Sequence, residues 1–213
     1  VDWMTVMSYT DPFENELERL DPATPMVLDV LALQYIYGAN TETNTGNTIH
    51  TIESQDYFYS IWDASGIDVI DVSAMSEGWT VNLPSVVLST ANPTPIGLAV
   101  KSSDYRETLT EMVPTELVWL LGDIEDVIGT AHDDTLNGNS IANVLSGGAG
   151  NDLLFGSGGN DSIDGGEGED RNLLGAAQRQ YTLTLRPDGM TIEDRRADGD
   201  GVDQLTNIEL LLF

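Results

Sequence analysis

Apolar residues follow three patterns in turn along this 213-residue chain. From Met26 to Tyr37, the residues Val27, Leu28, Leu31, Leu33, Ile36 and Tyr37 recur at mostly helical spacing. Thr24-Pro25 suits the start of that helix and Gly38 its end, since proline presets the first-turn φ and glycine accepts the reversed angles beyond the last turn. A lone helix of this length is marginal, so it must pack on something. Asp11-Pro12 and Asp21-Pro22 mark turns ahead of it. After Asn40 the apolar runs become short, β-branched and aromatic: 48–52, 57–62, 69–72, 79–83 and 86–88 each predict a strand. Residues 99–121 fit no single element, although 116–121 has strand character. From Gly129 a third pattern takes over, with one large aliphatic in each nine residues: Leu136, Leu145, Leu154 and Ile163.

Cut into nines from Gly129, the sequence reads GTAHDDTLN, GNSIANVLS, GGAGNDLLF, GSGGNDSID and then GGEGED. The shared form is G-G-x-G-x-D-x-U-x with U aliphatic, the repeat of calcium-binding parallel β-rolls. Each unit is a turn followed by a short strand. Its glycines allow backbone angles that a Cβ forbids and turn carbonyl oxygens toward one point. The sixth position supplies charge through Asp134, Asp152, Asp161 and Asp170, with Asn143 in the second unit. Calcium accepts about six to eight oxygen ligands in flexible geometry, so two stacked turns suit it. Two units make one coil, which sets Asp134 on Asp152, Asp152 on Asp170 and Asn143 on Asp161. A glycine- and aspartate-rich tract can also be a disordered linker, but the regular aliphatic at the eighth position argues against that. The fifth unit carries Asn172 there, so the roll is expected to end or be capped at that point. Beyond it, 181–185 and 190–192 alternate as strands around a 186–189 turn. Asp198-Gly199-Asp200-Gly201-Val202-Asp203 could bind another ion, yet it lacks the helix–loop–helix calcium pattern and reads as a plain acidic turn.

Charge sharpens this reading. The chain has 8 Lys and Arg against 36 Asp and Glu, a formal net charge of −28, and Lys101 is its only lysine. Such a chain repels nucleic acid, anionic membrane and, when compact, itself; bound cations are the natural offset. An acidic surface suited to salty surroundings is the competing explanation. Without cysteine there are neither disulfides nor thiolate metal sites. No run of about 20 apolar residues is present, so no membrane insertion is expected. The N-terminus lacks the basic region and apolar stretch of an ordinary secretory signal, and Val1 suggests a processed product or a fragment. His50 and His132 are the only histidines and stand far apart, short of the three-histidine set of a catalytic zinc. Gly138-Asn139-Ser140-Ile141-Ala142 approaches a nucleophile elbow but lacks its last glycine.

Three separated features together resemble the serralysins, secreted zinc metalloproteases of the metzincin group. Val6-Met7-Ser8-Tyr9 is similar to their Met-turn, and 25–40, PMVLDVLALQYIYGAN, resembles the helix that closes their protease domain. The stretch from Thr41, with Trp62-Asp63-Ala64-Ser65-Gly66-Ile67-Asp68 and the nonapeptides, resembles their C-terminal calcium β-roll. The resemblance is weakest over 73–113 and after Leu174. It implies a mainly β fold: a right-handed parallel β-roll with calcium between stacked turns, plus a short N-terminal helical remnant. It divides the chain into 1–40, the remnant of a protease domain, and 41–213, the β-roll with a C-terminal β segment. Met7 is implied as the Met-turn residue beneath the zinc, and Tyr9 as a zinc ligand that helps stabilise the transition state. The zinc-holding HExxHxxGxxH helix does not occur in this sequence, so zinc is expected in the parent protease only and this chain alone is expected to be inactive.

Calcium ligands follow residue by residue from the same resemblance. Asn44, Gly46 and Thr48, completed by Asp63, Ser65, Gly66 and Asp68, match a site near the domain junction. The family has arginine where Asn44 stands and glycine where Ser65 stands, changes that a carbonyl ligand tolerates. Asp123 and Glu125 match side-chain ligands of another site. In the first two turns Thr130, His132 and Asp134, then Asn139, Ile141 and Asn143, are implied, His132 through its backbone carbonyl. In the next three they are Gly147, Gly148, Gly150 and Asp152; Gly156, Ser157, Gly159 and Asp161; and Gly165, Gly166, Gly168 and Asp170. The implied role is a roll that binds several calcium ions and folds in the extracellular space, after the chain leaves extended through a type I secretion channel. Implied partners are calcium, a missing N-terminal protease half, and protein substrates of the parent enzyme. Glu209-Leu210-Leu211-Leu212-Phe213 resembles the family's C-terminal secretion signal, although 205–213 also reads as a final buried strand. A non-enzymatic calcium-binding module of an adhesin or matrix protein is the alternative.

Overall fold

The nine-residue period becomes a stack of strands. The computed structural model describes residues 24–55, 58–89, 92–103, 116–197 and 199–213. Met7 and Tyr9 lie outside the described residues, as do the turns at 11–12 and 21–22. Among the described residues, one α-helix, α1 (Val27–Tyr37), precedes the strands. These are β1 (Ile49–Thr51), β2 (Tyr59–Asp63), β3 (Val69–Asp71), β4 (Trp79–Ser89), β5 (Asn92–Lys101), β6 (Leu117–Gly122), β7 (Asp126–Ile128) and β8 (Thr135–Asn137). There follow β9 (Val144–Ala149), β10 (Leu153–Phe155), β11 (Ser162–Glu167), β12 (Arg171–Leu173), β13 (Tyr181–Arg186), β14 (Gly189–Asp194), β15 (Val202–Thr206) and β16 (Leu210–Leu212). They form two eight-stranded sheets, ordered β1-β3-β7-β9-β11-β15-β14-β13 and β16-β12-β10-β8-β4-β5-β6-β2. The fold is mainly β, and its repeat region is a parallel β-roll.

Successive nonapeptides deliver strands alternately to the two sheets, each parallel to the strand 18 residues away: Thr135 opposes Leu153 and Val144 opposes Ser162. Leu136, Leu145, Leu154 and Ile163 all point inward at 0–1% exposure, as their eighth position predicts. The same cluster holds Ile70, Val81, Val127 and Leu205, so the apolar ladder runs beyond the repeats on both sides. Burying each such side chain stabilises the fold by about 1.5–3 kcal/mol.

The roll does not stop at the fifth unit. Asn172 is buried at the inward position, and β12 pairs in parallel with β16 while β11 pairs with β15. One more coil is therefore built from the end of the chain, after an excursion through the antiparallel β13–β14 hairpin at the predicted 186–189 turn. On the other side, the 79–83 and 86–88 runs are one strand, β4, with Pro84 absorbed in a register shift between Asn82 and Val86. Of the ambiguous 99–121 stretch, the described ends belong to β5 and β6, which with β4 form an antiparallel insertion between β8 and β2.

Helix α1 leans on that insertion: Met26, Val27, Phe58, Ile96, Val100, Leu117, Trp119 and Leu121 make a second apolar cluster. The Met26 N–H donates to Asp29 Oδ2 (3.0 Å), satisfying a first-turn amide. Gly38 ends the helix as expected, its N–H donating to Gln34 O with φ +86°. The apolar face expected on α1 is only partly covered. Leu28 and Leu31 pack on the cluster, whereas Leu33, Ile36 and Tyr37 are exposed.

Candidate metal centre

An acid or amide stands immediately before most strands of the roll, and the backbone stacking links these residues into two ladders. Beside one sheet, Asp134 N–H donates to Asp152 Oδ1 (2.8 Å), Asp152 N–H to Asp170 Oδ1 (2.8 Å), and Asp170 N–H to Glu209 Oε2 (2.8 Å). Beside the other, Thr48 N–H donates to Asp68 Oδ1, Asp68 N–H to Glu125 Oε2, Asn143 N–H to Asp161 Oδ1, and Asp161 N–H to Asp203 Oδ1. The three stackings expected from the 18-residue coil, Asp134 on Asp152, Asp152 on Asp170 and Asn143 on Asp161, are all present.

The second carboxylate oxygens divide the turns into two kinds. In the first turn, Thr130 N–H donates to Asp134 Oδ2 (2.6 Å) and the Thr130 hydroxyl to Asp134 Oδ1 (3.1 Å). The second is similar: Asn139 N–H donates to Asn143 Oδ1, and Asn143 Nδ2 donates to Glu125 O (2.6 Å) and Asn139 Oδ1. His132 and Ile141 take part through their N–H groups, which donate to Thr130 Oγ1 and Asn139 Oδ1, and the His132 side chain is exposed. The glycine-rich third, fourth and fifth turns differ. Asp152, Asp161 and Asp170 are at most 2% exposed, and the Oδ2 of each is buried with no hydrogen-bond partner among the described residues. Each of these oxygens folds back over the first glycine of its own turn, so a Cβ on Gly147, Gly156 or Gly165 would collide with it. At the second position Gly148 and Gly166 take φ near +100°, and Ser157 takes the same left-handed region at +71°. At the fourth position Gly150, Gly159 and Gly168 are pressed against the backbone of the coil alongside.

A buried carboxylate oxygen with no donor is costly, and costlier beside another carboxylate. Burial pushes Asp152 up to about 7, and its neighbours Asp134 and Asp170 add to the rise against the hydrogen bond from Asp134 N–H. Burial likewise lifts Asp161 to about 7 and Asp203 to about 6, with Asp203 and Asp200 acting on the former and Asp200 and Asp194 on the latter. Asp134 and Asp170 are also raised, chiefly by burial. Oxygen donors without hydrogens, grouped with backbone carbonyls in glycine turns, are the ligand set of a hard divalent cation such as calcium. The residues present fit that group.

The residues expected at the loop site lie close together. Thr48 N–H donates to Asp68 Oδ1 at 2.7 Å, the Thr48 hydroxyl donates to Gly46 O, Asn44 Nδ2 donates to Trp62 O, and Asp68 Oδ2 is a further buried oxygen without a partner among the described residues. A Cβ at Gly66 would press on both Asp68 oxygens. Asp63 is fully buried; its Oδ1 accepts from Ser65 N–H, and its Oδ2 meets His50 Nε2 at 2.8 Å. Burial raises Asp63, against the His50 hydrogen bond. Glu125 joins this ladder through Asp68, whereas the Asp123 side chain is exposed. Among the described residues no three His, Asp or Glu side chains converge as a metal-holding group. Asp203 and Glu209 were absent from the sequence-derived ligand set. Their place in the ladders follows from β15 and β16 rejoining the roll, out of phase with the nines that start at Gly129.

Comparison with known proteins agrees with this geometry. The family model described as RTX calcium-binding nonapeptide repeat (4 copies) matches residues 128–162 and 137–171. The family model described as Peptidase M10 serralysin C terminal matches residues 28–93. This is a serralysin-like C-terminal portion. Serralysin of Proteus mirabilis is 31% identical to it over 156 residues, 66% of this chain and 28% of that protein. Metalloprotease AprA of Pseudomonas entomophila is 31% identical over 136 residues, 58% of this chain and 24% of that protein. Metallopeptidase AprA of Pseudomonas marginalis is 32% identical over 134 residues, 57% and 24% respectively. The serralysin-like chain thus spans 24–28% of the length of these curated relatives, and it is a calcium-binding module of serralysin type.

Proposed function

We propose that this serralysin-like chain is the calcium-dependent folding, stability and export module of a secreted zinc metalloendopeptidase. One observation carries the reading: Asp68, Asp152, Asp161 and Asp170, all expected ligands, each bury a carboxylate oxygen that no donor among the described residues reaches. These four, with the carbonyls of the glycine turns at Gly147, Gly148, Gly150, Gly156, Ser157, Gly159, Gly165, Gly166 and Gly168, are the proposed calcium ligands. Asn44, Gly46, Thr48, Asp63, Ser65 and Gly66 would complete the loop site around Asp68, with Asp123 and Glu125 beside it. Asp134, Asn143 and the carbonyls of Thr130, His132, Asn139 and Ile141 are weaker ligands in this reading, because their turns are already closed by hydrogen bonds. When bound, calcium supplies the positive charge and oxygen coordination that these buried carboxylates lack, and binding of that kind contributes folding free energy. In its absence the ionised aspartates resist burial and repel one another, which favours the extended chain that a type I export channel requires.

The division at residue 40, with 1–40 belonging to a protease domain and 41–213 to the roll, is part of the same proposal. So are secretion, zinc chemistry in the parent enzyme and the roles of Met7 and Tyr9 there. The match over 28–93 favours this reading over an adhesin module, since it covers the serralysin-type segment rather than the repeats alone. The test is a calcium titration followed by far-ultraviolet circular dichroism, with magnesium as control. A cooperative gain of β-structure at sub-millimolar to millimolar calcium alone is expected. A spectrum already fully folded after exhaustive chelation would refute the folding role.

A further inference from the structure

The acidic segment 199–203 has a partner that the sequence does not announce. Residues 198–206 read DGDGVDQLT, with glycine at the second and fourth places, Asp203 at the sixth and Leu205 at the eighth. The described part packs on the 156–161 turn through the contacts that join true repeats. Asp161 N–H donates to Asp203 Oδ1 (3.0 Å), as Asp152 N–H does to Asp170 Oδ1 (2.8 Å). Gly159 N–H donates to Asp200 O (3.0 Å), as Gly150 N–H does to Glu167 O (2.8 Å). Val202 N–H donates to Asn160 Oδ1 (2.9 Å), as Glu169 N–H does to Asn151 Oδ1 (3.0 Å). Gln204 N–H and Arg171 N–H reach Asp161 O and Asp152 O at the same 2.8 Å. Gly201, at φ +98°, presses on Gly159 O as Gly168 presses on Gly150 O. Leu205 then enters the apolar ladder at 2% exposure.

Two buried carboxylates, Asp161 and Asp203, therefore face the junction of these turns. Asp161 Oδ2 has no donor among the described residues and turns into its own glycine loop, against Gly156. Arg196 does not serve them: its guanidinium is held by Asp194 (Nη2 to Oδ2, 2.5 Å) and Asp200 (3.2 Å). We propose that the 156–161 turn and the 199–203 segment form a further calcium site, with Asp161 and Asp203 as its carboxylates and glycine-turn carbonyls as the remaining donors. The 199–203 half of the site, Asp203 included, lies beyond the repeats matched at 128–171, and the proposal rests on the calcium-binding role proposed above. Its occupation ties the β13–β14 hairpin and the last coil to the repeats, so that closure of the roll's end becomes calcium-responsive.

The test is native mass spectrometry of the whole chain in calcium, comparing the unaltered protein with Asp203→Asn. Asparagine keeps the Oδ1 acceptor for Asp161 N–H, and Asn143 already stands at the sixth position of one turn. The expected result is one bound calcium fewer in the variant. An equal number of ions in both would overturn this site while leaving the repeats' role intact, whereas no calcium in either would overturn that role itself. Should the variant lose its circular dichroism signal in calcium, crystals of the unaltered chain grown in calcium decide. An anomalous peak between Asp161 and Asp203 supports the site, and its absence from an otherwise calcium-loaded roll overturns it.

Discussion

Replacing Asp152 by asparagine should have opposite effects with and without calcium. The carboxyl is fully buried, and its folded-state pKa of about 7 stands above the ordinary 3.8. The metal-free fold consequently binds more protons than the unfolded chain between those values. Its stability is greatest below the unfolded pKa and falls as pH rises toward 7, the reverse of a salt-bridged aspartate. A shift of roughly three units corresponds to about 4 kcal/mol of penalty at pH 8. Asparagine removes that charge and keeps the acceptor for Asp134 N–H, but buries an amide group whose unmet donors cost about 1–3 kcal/mol. The balance is a net gain of about 1–3 kcal/mol for the metal-free fold. The assay is far-ultraviolet circular dichroism of both proteins in chelator from pH 8 to pH 4.5, and in a calcium titration at pH 8. The unaltered chain should gain β-signal as pH falls through 7, and the variant should gain it at higher pH with a shallower slope. In the titration the variant should need more calcium than the unaltered chain. A variant that folds less well than the parent in chelator as well as in calcium would refute the account of Asp152 as a charge waiting for a cation.

Two further perturbations test the scaffold. Leu154→Ala, at a fully buried rung between Leu136 and Asn172, should cost about 2–5 kcal/mol in urea unfolding of the calcium-loaded protein. Gly150→Ala places a Cβ 2.5 Å from the His132 carbonyl carbon at φ +128°, and should raise the calcium needed for half-maximal folding by the equivalent of about 1–3 kcal/mol; an unchanged midpoint would mean that the turn has room to spare.

The features that repeat locally were legible in the sequence. The period of nine marks the inward aliphatics and the sixth-position acids of the repeats, because turn, carboxylate and rung are fixed within one unit. Non-local pairings left no such mark. Gln204 meets Ser162 across 42 positions, and the phase break between them disguised Asp203 as an isolated acidic turn. Asn172 read as a stop signal, yet β16 still covers it, because backbone pairing does not require an aliphatic at every rung. The covered face of α1 was equally hidden: apolar residues lie on several sides of the helix, so spacing alone could not separate Leu28 from Ile36. Pro84 split one strand into two on paper, and a register shift rejoined it.

The stacking of β3 on β7, and of β11 on β15, has a bearing on how such proteins diversify. Neighbouring strands of the repeats are 18 residues apart, yet Val69 pairs with Asp126 across 57 with the register intact. Loop-closure entropy grows only with the logarithm of length, so tripling the span adds about 1 kcal/mol. Register is held by the turn contacts and not by chain continuity. Any gap between coils can thus accept a new hairpin, as with β4–β6 and β13–β14, at almost no thermodynamic cost to the ladder. The roll is a spine on which lineages can graft surface without redesigning what lies beneath it.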